Sequence, residues 1–244
     1  SHRYADLADQ LATDASDSER GAELRTIAEV CRRVPEHPAG SFHEAVQSFW
    51  FVHYAFFSTG TAMSCGRIDQ YLYPAFRSDF ESGDLTLPRA QELIDSVWLR
   101  FNDRAQIDRD NFFAGDEVRD WAAGHRTRMA YASDAADAIN HFGQNILLSG
   151  IRPDGGDGTN ELTYLCLNSL EKLAYTSPVV TVRLHRDSPP ELTERSAEVL
   201  TAGSGMPYLN NDDAIVDAYI GLGVAPEDAR DYANSNCWET MIQG

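Results

Sequence analysis

Between Ser16 and Val34, Leu24, Ile27, Cys31 and Val34 recur at helical spacing with charged residues between them, which predicts an amphipathic helix. Pro35-Glu-His-Pro38 breaks it, and Ser41-Phe-His-Glu44 has the form of a capping box opening a helix over 41–57. Phe42, Val46, Phe49, Trp50, His53 and Phe57 cover so much of that helix that packing on more than one side is expected. Ser58-Thr-Gly-Thr-Ala-Met-Ser-Cys-Gly66 follows as a run of small residues, where backbone can approach a ligand or another segment closely. Helical patterns resume at about 67–81 and 88–104, the second opened by Pro88. Residues 114–138, rich in Ala, Asp and Arg with weak periodicity, read as a polar, partly helical insertion.

The pattern then changes. A short β segment at 144–148 leads into Gly150-Ile-Arg-Pro-Asp-Gly-Gly-Asp-Gly158, a turn sequence without the spacing of a phosphate loop. Next come a helix at 159–175, a strand at 178–184, and a helix at 189–202 with Ser188 as N-cap and Gly203 past its end. A strand around 207–209, a helix at 212–220 and a helical turn at 226–232 complete the series. Alternating strands and helices predict a parallel β/α sheet or barrel in the second half, after a mainly helical first half.

Composition narrows the function classes. The chain has 244 residues, 43% hydrophobic, enough for a substantial core, and a net charge of −18 with Lys172 as the single lysine. Such a surface repels phosphate backbones and anionic membranes, so neither nucleic acid nor membrane is an expected partner. The acidity fits either a salt-loving source or plain colloidal solubility. The longest apolar stretch, Phe49–Phe57, is too short to cross a bilayer and no leader precedes it, so a cytoplasmic protein is expected. Cys31, Cys65, Cys166 and Cys237 show no CxxC spacing, which argues against a disulfide framework or zinc ribbon. His43-Glu44 lacks the second histidine of a zincin helix, no metal site is expected, and His53 and His141 read as packing residues.

The remaining chemistry lies near the end of the chain, where Tyr232-Ala-Asn-Ser-Asn236 leads to Cys237, Trp238 and Glu239. A thiol and a carboxylate two residues apart project to one side only on extended or looped backbone. So placed, they could carry hydrogen-atom or proton chemistry on one bound molecule. A buried cysteine beside a solvated glutamate is the other reading of these residues alone.

Five segments in order carry a resemblance. They are Phe42-His-Glu-Ala-Val-Gln-Ser-Phe-Trp50, Met63-Ser-Cys-Gly-Arg-Ile-Asp-Gln-Tyr-Leu-Tyr-Pro74, Thr159-Asn-Glu-Leu-Thr-Tyr-Leu-Cys-Leu167, Gly205-Met-Pro-Tyr-Leu-Asn-Asn-Asp-Asp213 and Asn236-Cys-Trp-Glu239. Together the chain resembles the central part of a glycyl radical enzyme of the pyruvate formate-lyase type. The resemblance implies an α/β fold: a mainly helical part over 1–110 with a pocket loop at 58–66, a polar insertion at 111–140, and a half-barrel segment over 141–244. That segment would be about half of a ten-stranded α/β barrel, ending in the cysteine finger loop.

The resemblance also implies roles. Cys237 would become a thiyl radical and remove a hydrogen atom from substrate, and Glu239 would be the acid/base group. Cys-x-Glu marks the branch that eliminates water, an amine or sulfite, or decarboxylates, whereas formate C-acetyltransferase chemistry uses paired cysteines. Trp238 replaces the usual small or aliphatic residue and leaves the subgroup open. Thr61, Ala62 and Ser64 match the substrate loop, where the family's polyol-binding histidine and serine are missing; Phe142, Gln144 and Asn145 are candidate pocket walls. Arg67 and Asp69 read as structural ion-pairing residues, and Tyr208, Asn210 and Asn211 as supports of the finger. No cofactor is expected to be bound by these residues. The glycyl radical would be installed outside this chain by a radical S-adenosylmethionine activase, with a small-molecule substrate and a homodimeric full-length assembly as further expectations of an anaerobic enzyme. The family's Arg-Val-x-Gly-Tyr loop and an opening methionine are absent. The chain is accordingly expected to be inactive by itself, as a fragment, a split subunit or a non-catalytic interaction subunit.

Overall fold

A computed structural model of the chain describes residues 1–57, 63–102, 144–175, 177–235 and 238–242. Two units result, one of residues 1–61 with 70–97 and one of 62–69 with 98–244. The expected insertion at 111–140 lies outside the described residues, as do Thr61, Ala62, His141, Phe142 and Cys237.

The first unit is helical. Ahead of the predicted helix, now α2 (Ser18–Arg33), lies a helix that hydrophobic periodicity missed, α1 (His2–Asp14). Its buried stripe is Ala5, Ala8 and Ala12, small residues that allow close approach; Ala5 and Ala8 pack with Ala28 and Cys31 of α2. Asp17 caps α2 by accepting the Glu19 N–H at 2.9 Å. The box before α3 (Phe42–Phe57) forms in half: Ser41 Oγ accepts the Glu44 N–H, but the Glu44 carboxylate takes the Gly40 N–H and pairs with Arg33. Phe42 is fully buried against Phe76 and His53 is buried later in α3, whereas Val52, Tyr54 and Phe56 remain exposed, so the expected packing on more than one side leaves part of the helix open.

The pattern at 67–81 is not one helix. Arg67 ends a strand, and α4 (Ile68–Tyr71) and α5 (Tyr73–Ser82) are separated at Leu72 because Pro74 opens a new first turn. Gly83 ends α5 with φ +84°, and α6 (Leu87–Asn102) follows with Pro88 in its first turn, as expected.

The second unit holds a four-stranded parallel sheet in the order β1 (Met63–Arg67), β2 (Gln144–Ser149), β3 (Val179–Leu184), β4 (Tyr208–Asn211). Strand β1 corrects the expected loop at 58–66, since Met63 to Gly66 lie within it. It pairs Ser64 with Asn145 and Arg67 with Leu147, with an irregularity between Ser64 and Gly66. Between the other strands run α7 (Glu161–Leu173) and α8 (Pro190–Val199). Asn160 caps α7 in a full box with Thr163. Ser188 does not cap α8: Pro189 takes that position, and the serine hydroxyl instead accepts the His185 N–H at 2.9 Å. After α8 the chain makes a π turn, Leu200–Ser204, around Gly203. Helices α9 (Asp212–Gly221) and α10 (Pro226–Arg230) follow β4. Beyond them the sequence reading held only a loop; the structure forms an antiparallel hairpin of β5 (Ala233–Asn234) and β6 (Thr240–Met241).

Alternation along the strands gives the sheet two unlike faces. One carries Ile146, Leu148, Val180 and Val182, all fully buried. The other carries Asn145, Leu147 and Ser149 of β2 with Thr181 and Arg183 of β3, and the 230–235 segment is bonded to it. Gly150, φ +89°, turns the chain directly off β2. A Cβ there would lie 2.6 Å from Arg183 Nε, 2.7 Å from Arg183 Cβ and 2.7 Å from Asp212 Oδ2. Left-handed strain and overpacking each cost on the order of 1–3 kcal/mol, so Gly150→Ala is expected to lower the urea midpoint of unfolding markedly with little change in m-value.

Candidate active site

The polar sheet face is organised by a buried ion pair. Arg183 and Asp212, both fully buried, meet with Nε–Oδ1 2.9 Å and Nη2–Oδ2 2.8 Å. Arg183 also donates to the carbonyls of Tyr232 (3.0 Å) and Arg230 (2.7 Å), with its guanidinium carbon 3.8 Å from the Tyr232 ring centre. Asp212 accepts the Tyr232 hydroxyl at 2.6 Å and the Ile151 N–H at 2.8 Å. Burial pushes the Tyr232 phenol well up, which keeps it a hydroxyl donor at neutral pH. These bonds fix the chain immediately before the hairpin.

Arg67 and Asp69 make a second buried junction. Arg67 Nη2 donates to Ser149 O at 2.8 Å and Nη1 lies 3.4 Å from Asp231, rather than pairing with Asp69. Burial, followed by the nearby Arg183 charge, works against the charged form of Arg67, and the carbonyls of Ser149, Gly150 and Ile151 offset it. Asp69 Oδ2 accepts the Ser149 N–H at 2.7 Å and the Thr163 hydroxyl at 2.6 Å. Both residues thus brace the end of β2.

The hairpin itself is held at its base. Asn210 Nδ2 donates to Asn234 Oδ1 at 3.0 Å and to the Tyr232 hydroxyl at 3.3 Å, and Asn234 Nδ2 donates to Thr181 Oγ1 at 3.3 Å. Asn145 Nδ2 donates to Ser235 O. The ring of Tyr208 packs on Trp238 with centroids 5.1 Å apart. Tyr208 and Asn210 therefore touch the hairpin directly, whereas Asn211 caps α9 by accepting the Ala214 N–H.

Residues 235–239 join β5 to β6 and include both singled-out chemical residues. Ser235 N–H donates to Glu239 O at 2.7 Å, Trp238 N–H to Ser235 O at 3.3 Å, and the Ser235 hydroxyl to the Glu239 carboxylate. Trp238 has φ +69°, a left-handed conformation uncommon outside glycine that reverses the chain within the loop. Glu239 is exposed. Trp238 and Glu239 thus lie in non-helical backbone between β5 and β6.

The other predicted residues divide between the faces. Ser64 pairs in register with Asn145 on the hairpin side, and its hydroxyl accepts the Gly66 N–H. Gln144, adjacent to Asn145, faces the other way and donates to Ser177 Oγ at 2.8 Å. Arg183, Asp212 and Tyr232 were not singled out from sequence; an arginine closing the apolar run Val179-Val-Thr-Val182 was the available signal of a buried ion pair. The described cysteines Cys31, Cys65 and Cys166 are buried, and burial raises each thiol's pKa, so none is a ready thiolate.

The family pattern described as pyruvate formate lyase-like matches residues 1–244. The isethionate sulfite-lyase of Oleidesulfovibrio alaskensis is 36% identical over 250 residues, covering 99% of this chain and 27% of that protein. Among solved structures, one from Roseburia inulinivorans concerned with 1,2-propanediol dehydration superimposes with a TM-score of 0.83 at 33% identity. It covers 100% of this chain and 28% of its own. A glycyl radical enzyme from Archaeoglobus fulgidus gives a TM-score of 0.80 at 32% identity, over 99% of this chain and 29% of its own. The chain thus spans between a quarter and a third of the length of these relatives. Matched along its entire length, the chain belongs to the pyruvate formate lyase-like family of glycyl radical enzymes.

Proposed function

We propose that the full protein containing this chain is a lyase that works through a thiyl radical at Cys237, with Glu239 as the acid/base group. The observation that carries the reading is the segment 235–239, which contains both residues and lies between β6 and β5, the strand bonded to the polar face of the parallel sheet. In this reading β1–β4 are part of a ten-stranded barrel and the hairpin is its finger. Thr61, Ala62, Ser64 and Phe142 remain proposed contributors to the substrate pocket; Gln144, buried on the opposite face against Ser177, is withdrawn from that set.

A thiol two residues from a carboxylate suits a radical relay, because S–H and activated C–H bonds are similar in strength and hydrogen can pass both ways. The glycyl radical, supplied by another part of the protein after activation by a radical S-adenosylmethionine enzyme, provides the unpaired electron. The Cys237 sulfur takes a hydrogen atom from the carbon bearing a hydroxyl, leaving a carbon radical and an S–H. Glu239 accepts the hydroxyl proton, and the ketyl expels the neighbouring group with its bonding pair. Glu239 returns a proton where the leaving group needs one, and the thiol returns the hydrogen atom to the product radical. Exclusion of water and oxygen protects these species.

Elimination is favoured over decarboxylation by the relatives' own chemistry: one is a sulfite-lyase and one concerns diol dehydration. A cytoplasmic, homodimeric enzyme is part of the same proposal; among the described residues no helix is long and apolar enough to cross a membrane. Anaerobic activation of the full-length protein is expected to give a glycyl radical doublet in electron paramagnetic resonance. Offered isethionate and 1,2-propanediol, it should release sulfite or form propanal. A radical-bearing protein inert toward both would exclude these two substrates, and no radical under competent activation would overturn the reading.

A further inference from the structure

We infer that Asn145 is a positioning residue for the reactive segment, holding Ser235, two positions before Cys237, to the sheet through its carbonyl. The inference rests on the proposed function for its catalytic consequence, but its geometry stands alone. Asn145 lies in the centre of the sheet, paired with Ser64 on one side and Val179 on the other, and is fully buried. Its Nδ2 donates to Ser235 O. Its Oδ1 is buried with no hydrogen-bond partner among the described residues.

Leaving a buried acceptor unsatisfied is costly, and asparagine can exchange its two ends by a half-turn. The turn would set Oδ1 against the Ser235 carbonyl, two acceptors face to face. The observed orientation is therefore the one that makes the loop bond.

Ser235 is the right place to hold. Its carbonyl also accepts the Trp238 N–H, its N–H donates to Glu239 O, and its hydroxyl donates to the Glu239 carboxylate. A single side chain on the rigid sheet thus sets the residue from which both ends of the loop are hung, and Cys237 lies two positions further on. Gln144, next in sequence, cannot substitute because alternation turns it to the opposite face, where it serves Ser177.

The test uses the full-length protein before activation, under anaerobic conditions, with iodoacetamide as probe and the Cys237 peptide followed by mass spectrometry. Asn145→Ala and Asn145→Ser are expected to speed alkylation of Cys237 about fivefold or more, the effect of losing one hydrogen bond from a closed loop. Hydrogen exchange over 233–242 should rise in the same variants. Val180→Ala, which weakens the apolar face without touching the hairpin, should lower Tm but leave alkylation within twofold. Alkylation at the wild-type rate in both Asn145 variants, or an equal rise in Val180→Ala, would overturn the clamp. After activation, with isethionate and 1,2-propanediol as probes, kcat should fall about 10- to 100-fold with KM nearly unchanged. If wild type turns over neither probe, the substrate reading fails while the alkylation result still decides the clamp.

Discussion

Arg183→Met is expected to destabilise the second unit by about 3–5 kcal/mol, the cost of leaving a buried carboxylate without its partner. Asp212 is fully buried, and Arg183 supplies three of its close contacts. The Tyr232 hydroxyl and the Ile151 N–H cannot neutralise a charge by themselves. Loss of the guanidinium also frees the carbonyls of Tyr232 and Arg230, so the approach to the hairpin should loosen together with the core. Urea unfolding followed by tryptophan fluorescence measures the first effect, and hydrogen exchange over 230–242 the second. The double variant Arg183→Met with Asp212→Leu should recover a large part of the loss, because removing both charges removes the desolvation cost as well. A double variant no more stable than the single one would show that the pair itself, rather than the stranded charge, supplies the stability.

On the proposed function, Cys237→Ala in the activated full-length protein should abolish turnover while the glycyl radical signal persists, since in that reading the radical resides on a different residue and is installed by a separate protein. Cys237→Ser should be equally inactive: a serine O–H bond is too strong to exchange hydrogen reversibly with an activated C–H. Glu239→Gln keeps size and hydrogen-bonding capacity but removes the proton acceptor, so a loss of about 10²- to 10⁴-fold in kcat is expected, the usual worth of a positioned acid or base. Measured side by side, the three variants separate hydrogen-atom transfer from proton transfer. Full turnover in Cys237→Ala would overturn the role proposed for that thiol.

Much of this was legible in the residues because it depends on local rules. The helix over 18–33, strands at 144–149 and 179–184, and the alternation that predicts a parallel sheet all follow from periodicity and turn chemistry. The misses have physical causes. Helix α1 buries alanines, which carry little hydrophobic signal. Strand β1 is a run of small residues that only pairing with β2 makes a strand, and β5–β6 are too short to announce themselves. Ser188 had the composition of a helix cap, but Pro189 and the His185 N–H claimed the two roles separately.

By itself the sequence determined the family pattern, the sheet-forming half and the loop that holds a thiol two residues from a carboxylate, because these depend on residue order over short spans. Only the tertiary structure decided which residues serve that loop. Asn145 and Gln144 are adjacent and similar in sequence, yet strand alternation sends one to the hairpin and the other to Ser177. Arg183 and Asp212 are 29 residues apart, and they become one buried pair because neighbouring parallel strands bring their ends together. Burial then makes such long-range partners obligatory, since a charge or amide removed from water must find its complement within reach.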